Sequence, residues 1–172
     1  VYKRQILDVS GSTFFEVGDI YDAMGGASTP SHYNAQHKFQ IDWLDSNEIQ
    51  QVNGAGMFVV EPLSGSGAGT RALQLYRGAD SAGNKEYFWL STRSSDGYDG
   101  LMNPLGVGSI HIHQQFDDND TYTYQIDVNP QTPANGDAPL LLGQQFFDPF
   151  SGITIKHMGC LLYTSDADDD LR

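Results

Sequence analysis

Cysteine is nearly absent: Cys160 is the sole thiol in 172 residues. A single thiol this close to the end of the sequence supports no redox or metal argument. Basic side chains are scarce as well. Nine Lys and Arg stand against 22 Asp and Glu, a formal charge of −13. A surface of that sign repels phosphate backbones and anionic headgroups, which argues against nucleic acid and membrane surfaces as partners. No apolar run approaches the ~20 residues that a membrane helix needs. Complete catalytic signatures are missing too. The sequence holds no H-E-x-x-H, no nucleophile elbow, and no Lys-Ser or Lys-Thr behind a glycine-rich loop. "SGSGAG" (64–69) therefore reads as a flexible loop.

What is present suits a globular β-rich domain. Hydrophobic residues make up 39% and aromatics 12%, enough for a real core and too many for wholesale disorder. One stretch carries a helical period. "SHYNAQHKFQIDWL" (31–44) sets Tyr33, His37, Ile41 and Leu44 on one stripe, with Thr29 or Ser31 as N-cap and Pro30 tolerated in the first turn. Beyond it the period changes to two. Strands are expected at 56–62, 71–77, 86–93, 108–113, 121–128, 139–143 and 152–157, separated by Gly-, Asp- and Pro-rich turns. Seven short strands at that spacing predict an antiparallel sandwich or barrel.

Two patterns offer metal ligands. His111 and His113 are two apart on an expected strand, so both side chains share a face, with Ile110 and Ile112 on the other. Such a pair can hold a metal in a β-barrel, or can simply be two polar residues on a half-buried strand. Asp117, Asp118 and Asp120 supply oxygen ligands for calcium, or a solvated turn, but lack the glycine and distal Glu of an EF-hand loop. His32 and His37, five apart, are split around a helix and are not assigned as ligands.

"DIYDAMGGASTP" (19–30) contains an oddity, because Met24 stands in an apparent turn directly before Gly25 and Gly26. Together with the helix after it, this stretch resembles a segment of the gametolysin-like and immune-inhibitor-A-like zinc metallopeptidases. There a "GDPFDVMG" type sequence precedes "HFNAxxKxxLGWL". The shared positions are Gly18, Asp19, Asp22, Met24, Gly25, His32, Tyr33, Asn34, Ala35, Lys38, Trp43 and Leu44. Ile41 and Asp42 depart from the family's Leu-Gly. Downstream, "EYFWLSTRSSDGYDG" is similar to the family's "YYLEYR…GFD" at Tyr87, Arg93, Gly97 and Asp99, and "GVGSIHIH" to its "GVLIHR". "TYTYQIDVNP" and "LLLGQQFFDPFSGITI" are similar to its last two motifs.

The resemblance implies a secreted, extracellular zinc endopeptidase that hydrolyses cell-wall or matrix proteins or glycoproteins. Its zinc-binding helix would lie upstream, so the zinc ligands and general base are not in this chain and the fragment would be inactive alone. Met24, Gly25 and Asp22 would form the Met-turn, a floor of adaptable thioether beneath the metal, with the glycines allowing the sharp reversal. On this reading, residues 6–48 are the end of a metzincin-like catalytic domain, comprising the Met-turn loop and one short helix. Residues 49–159 are a β-sandwich-like module, and the whole packs on the missing N-terminal catalytic domain. Residues 1–5 and 160–172 look like translated sequencing adapter, the latter alternatively an acidic tail. The competing reading is a stand-alone β-sandwich binding or adhesion module without catalysis.

Overall fold

The computed structural model of the chain describes residues 5–7, 14–16, 18–27, 29–116, 122–132 and 135–159. The expected calcium ligands Asp117, Asp118 and Asp120 lie outside these residues, as does the 160–172 segment. The architecture is mainly β with one short α-helix. Among the described residues nine strands form: β1 (Gln5–Leu7), β2 (Phe14–Glu16), β3 (Ile49–Val52), β4 (Ala72–Ala79), β5 (Lys85–Thr92), β6 (Ile110–Gln115), β7 (Tyr124–Ile126), β8 (Gln145–Phe147) and β9 (Thr154–Lys156). The first seven make one open sheet in the order β2-β1-β7-β6-β5-β4-β3, and β8 and β9 pair as a separate hairpin. Among the described residues no barrel closes, since β2 and β3 lie at opposite ends of the sheet.

The centre is antiparallel as expected, from β4 through β7. The margins are not. β3 runs parallel to β4, and β1 parallel to β7. A parallel neighbour needs a long crossover, which the irregular chain between β3 and β4 provides. That placement also explains why 56–62 is not a strand: Ile49–Val52 already occupies the free edge of β4. Residues 56–62 have Met57 and Val59 exposed, Phe58 and Val60 packed on the core, and a bridge from Pro62 to Thr92. Likewise 139–143 supplies only a bridge from Leu140 to Ile110, and the strand follows the turn at Gly143.

The two faces of the sheet differ in chemistry. One carries Leu73, Phe88, Leu90, Ile112 and Ile126, closed by Leu140, Phe146 and Ile155 from the hairpin layer. Arg77 of β4 fastens that layer. Its Nε donates to Asp148 Oδ2 at 2.9 Å, another nitrogen pairs with Glu86, and the guanidinium lies 5.4 Å from the Phe88 ring and 5.2 Å from Phe150. The other face receives the 18–44 segment, with Ala35, Leu44, Leu63, Ala72 and Trp89 in a smaller apolar cluster.

Helix α1 spans only Ala35–Gln40, shorter than the period suggests. Its N-cap is Asn34, not Thr29 or Ser31, and the Asn34 side chain accepts the His37 N–H at 3.0 Å. The chain then ends the helix at once. Trp43 N donates to Lys38 O at 2.8 Å and Asp42 N to Phe39 O at 3.2 Å, the paired bonds of a Schellman motif. Asp42 takes the left-handed position with φ 57, where the resembled family has glycine. Because of this early stop, Ile41 faces solvent and the buried run is Ala35, Gln36, His37 and Lys38.

Asp42→Gly should stabilise the protein by about 1 kcal/mol, relieving a side chain held at positive φ, read as a raised denaturation midpoint. Ile112→Ala should lose ~2–5 kcal/mol, because the cavity opens in a well-packed core. Met57→Ala, at an 83% exposed position, should leave the urea midpoint unchanged.

Candidate functional site

The 19–26 turn is built by two carboxylates. Asp19 Oδ1 accepts Tyr21 N at 2.9 Å, and its backbone carbonyl accepts Gly26 N at 2.8 Å. Asp22 Oδ1 accepts Met24 N at 2.8 Å, and its Oδ2 accepts Asn34 N at 2.9 Å. These are side-chain-to-backbone turns of the kind Asp favours, and the second ties the turn to the start of α1. A Cβ on Gly25 would lie 2.0 Å from the Asp19 carbonyl oxygen, so no other residue fits there. Met24 is half-buried, and its N–H is what Asp22 holds.

This turn sits on the polar face of the sheet. His113 Nε2 lies 3.0 Å from Asp19 Oδ2, with both side chains buried. Asn34 Nδ2 donates to Thr123 Oγ1 at 2.7 Å. Beneath them Arg93, wholly buried, extends from the end of β5. Its Nη1 lies 3.3 Å from both oxygens of Asp99, and its Nη2 donates to the carbonyls of Tyr21, His32 and Tyr33 at 3.1–3.3 Å. Asp99 Oδ1 also accepts His32 N at 3.0 Å. Lys38 is buried as well, donating from Nζ to Leu63 O at 2.8 Å. Burial, and next the repulsion of Arg93, lowers its ammonium to about 8.

His111 and His113 share a face of β6, and Ile112 enters the core on the other, as the spacing predicts. The two imidazoles nevertheless take separate partners. His111 Nε2 is 2.9 Å from Gly106 O, which fixes it as the N–H donor. His111 Nδ1 then faces the Gln125 amide nitrogen at 3.4 Å, and the ring packs edge-on to Tyr21 at 4.9 Å. Both nitrogens are engaged by neutral groups. Burial, and then the Arg93 charge, lowers the His111 pKa to about 3.

A different trio can offer a cation three ligand atoms. One oxygen each from Asp19 and Asp22 and one ring nitrogen of His113 lie within 4.8 Å of one another, all buried. Two features fit a hydrogen-bonded lock better. Each carboxylate already accepts backbone N–H groups. His113 Nδ1 is buried without an acceptor, whereas a metal-bound histidine almost always donates its other N–H. The trio is also not the H-E-x-x-H helix that the resemblance implies upstream of this chain. Sequence reasoning picked out Asp19 and His113 separately but could not pair residues 94 apart. The signal for Arg93–Asp99 was the pair of acidic and basic motif positions either side of one loop.

His111 sets a pH dependence with a definite sign. Its native pKa lies below the unfolded value near ~6.5, so the unfolded chain binds the proton first. The stability it contributes is complete above that value and is lost as pH falls toward about 3. Between about pH 6.5 and 5, before most carboxylates titrate, the unfolding free energy from urea denaturation should fall by up to ~1.4 kcal/mol per pH unit. His111→Gln should flatten that slope. Compared with known proteins, the chain matches no family model, no curated protein and no solved structure at a significant level.

Proposed function

We propose that this chain is the portion of a secreted zinc endopeptidase that follows the zinc-binding helix, and that it positions the Met-turn for an enzyme acting on cell-wall or matrix proteins. One observation supports this reading. The residues that carry the resemblance, scattered between Asp19 and His113, meet in a single buried network: Asp19, Asp22, Gly25, Asn34, Arg93 and Asp99 all serve to hold one turn in one place. A turn fixed by that many buried polar contacts is suited to act as the floor of a site. Zinc, bound by the upstream helix, would activate water and polarise the scissile carbonyl. This chain's own part is to hold Met24 and Gly25 against the sheet and to exclude water beneath them.

A second reading, a stand-alone binding module, is favoured by a separate fact. The 18–44 segment has its packing partner within this chain, through Asp19–His113, Asn34–Thr123 and the Arg93 carbonyl cradle. It follows that residues 18–44 should show amide protection comparable to β5 and β6 in the chain alone.

The two readings part at the parent gene. The isolated chain should hydrolyse no gelatin or casein, with or without added zinc. The reading frame extended upstream should encode H-E-x-x-H, and its product should cleave gelatin in a phenanthroline-sensitive manner. An extended frame without that motif overturns the endopeptidase reading and leaves the binding module.

A further inference from the structure

The polar face of the sheet continues past His113 into an open cleft of about 140 Å³ between α1 and strands β4 to β6. Register lines up its floor. Gln74 stands opposite Trp89, and Tyr87 opposite Gln115. The Trp89 indole N–H donates to Gln115 Oε1 at 2.8 Å, which settles the orientation of that amide. Trp89 itself is buried and forms the base. Phe39, 41% exposed at the end of α1, leans over it with ring centroids 5.8 Å apart and makes the wall. Tyr76, exposed and edge-on to Tyr87 at 5.8 Å, extends the rim. Gln40 completes the opposite lip.

The lining is amide and aromatic, and among the described residues that form it none is charged. In a chain of net charge −13, that neutrality discriminates between ligands. A cation would find no counter-charge in the cleft, and an anion would meet the repulsive field of the whole protein. A purely apolar ligand would desolvate the Gln74 amide without pairing it. A peptide strand is read along a sheet edge, and this cleft lies on a sheet face. A sugar ring satisfies all four constraints. Its C–H face lies against an aromatic wall, and its hydroxyls, each both donor and acceptor, match glutamine amides that are also both. The cleft is smaller than the ~300 Å³ at which drug-sized pockets begin, so it takes one ring laid over it.

From this chemistry we infer that the α1–sheet cleft is a binding site for a neutral saccharide unit, with Phe39 as the stacking platform and Gln74 as the polar contact on its floor. The inference does not depend on the endopeptidase reading, since the site is complete without a catalytic domain. The test is affinity electrophoresis of the full chain through gels containing laminarin, galactan or mannan, with polygalacturonate as the anionic control. At least one neutral polymer should retard the chain. Retardation should weaken roughly tenfold in Phe39→Ala, be lost or weakened comparably in Gln74→Ala, and survive in Trp43→Ala, which is exposed but does not line the cleft. Thermal unfolding of each variant separates loss of binding from loss of fold. If no neutral polymer retards the chain, the inference is overturned. Retardation by polygalacturonate alone, survival of binding in either folded cleft variant, or equal loss in Trp43→Ala overturns it too.

Discussion

A guanidinium sealed from water must be surrounded by acceptors, because an uncompensated buried charge is among the most destabilising features a fold can carry. Arg93 meets most of that demand through its two terminal nitrogens, with the carboxylate of Asp99 and with carbonyls from Tyr21, His32 and Tyr33, and leaves only its Nε without a partner. Those carbonyls belong to both arms of the 18–34 loop. Their positions are therefore not free: the loop has to close around the end of β5 for the charge to be satisfied. The orientation of Asp22, the start of α1 and the approach of Asp19 to His113 all follow from that closure.

The seam between loop and sheet is consequently polar, while the opposite face of the same sheet is hydrocarbon. Hydrophobic packing is tolerant of small shifts, whereas hydrogen bonds are directional. The apolar face thus supplies most of the driving force for folding, and the polar face supplies register. The seam is not fully matched. Ser91 Oγ, His113 Nδ1 and Gln125 Oε1 are buried without partners, so specificity here is obtained at some loss of stability.

The central strands were legible because period-two alternation is a local property, visible in "RALQLYR", "EYFWLSTR" and "SIHIHQQ". The shared face of His111 and His113 could be read for the same reason. The parallel margins were not legible. Whether Ile49–Val52 or Gly56–Pro62 takes the edge of β4 is decided by a crossover path that no short window encodes. The helix was overestimated since Ile41 and Leu44 continue the apolar period across a residue, Asp42, whose left-handed conformation breaks it. The Met-turn stretch showed its chemistry in sequence, with two Asp and two Gly around Met24. What Asp19 pairs with, at a distance of 94 residues, is a tertiary fact.

β3 closes one end of the sheet with the sequence Ile-Gln-Gln-Val, short and without a charged residue inside it. Among the described residues no further strand pairs with its outer side, and edge lysines, the usual deterrent, are absent from it. The deterrent in this protein is collective. With 22 acidic side chains, two copies approaching edge to edge repel before their backbones can pair. Separation of the copies then rests on that net charge more than on the edge itself, and high salt or acid, which screens or neutralises it, should favour pairing at this edge.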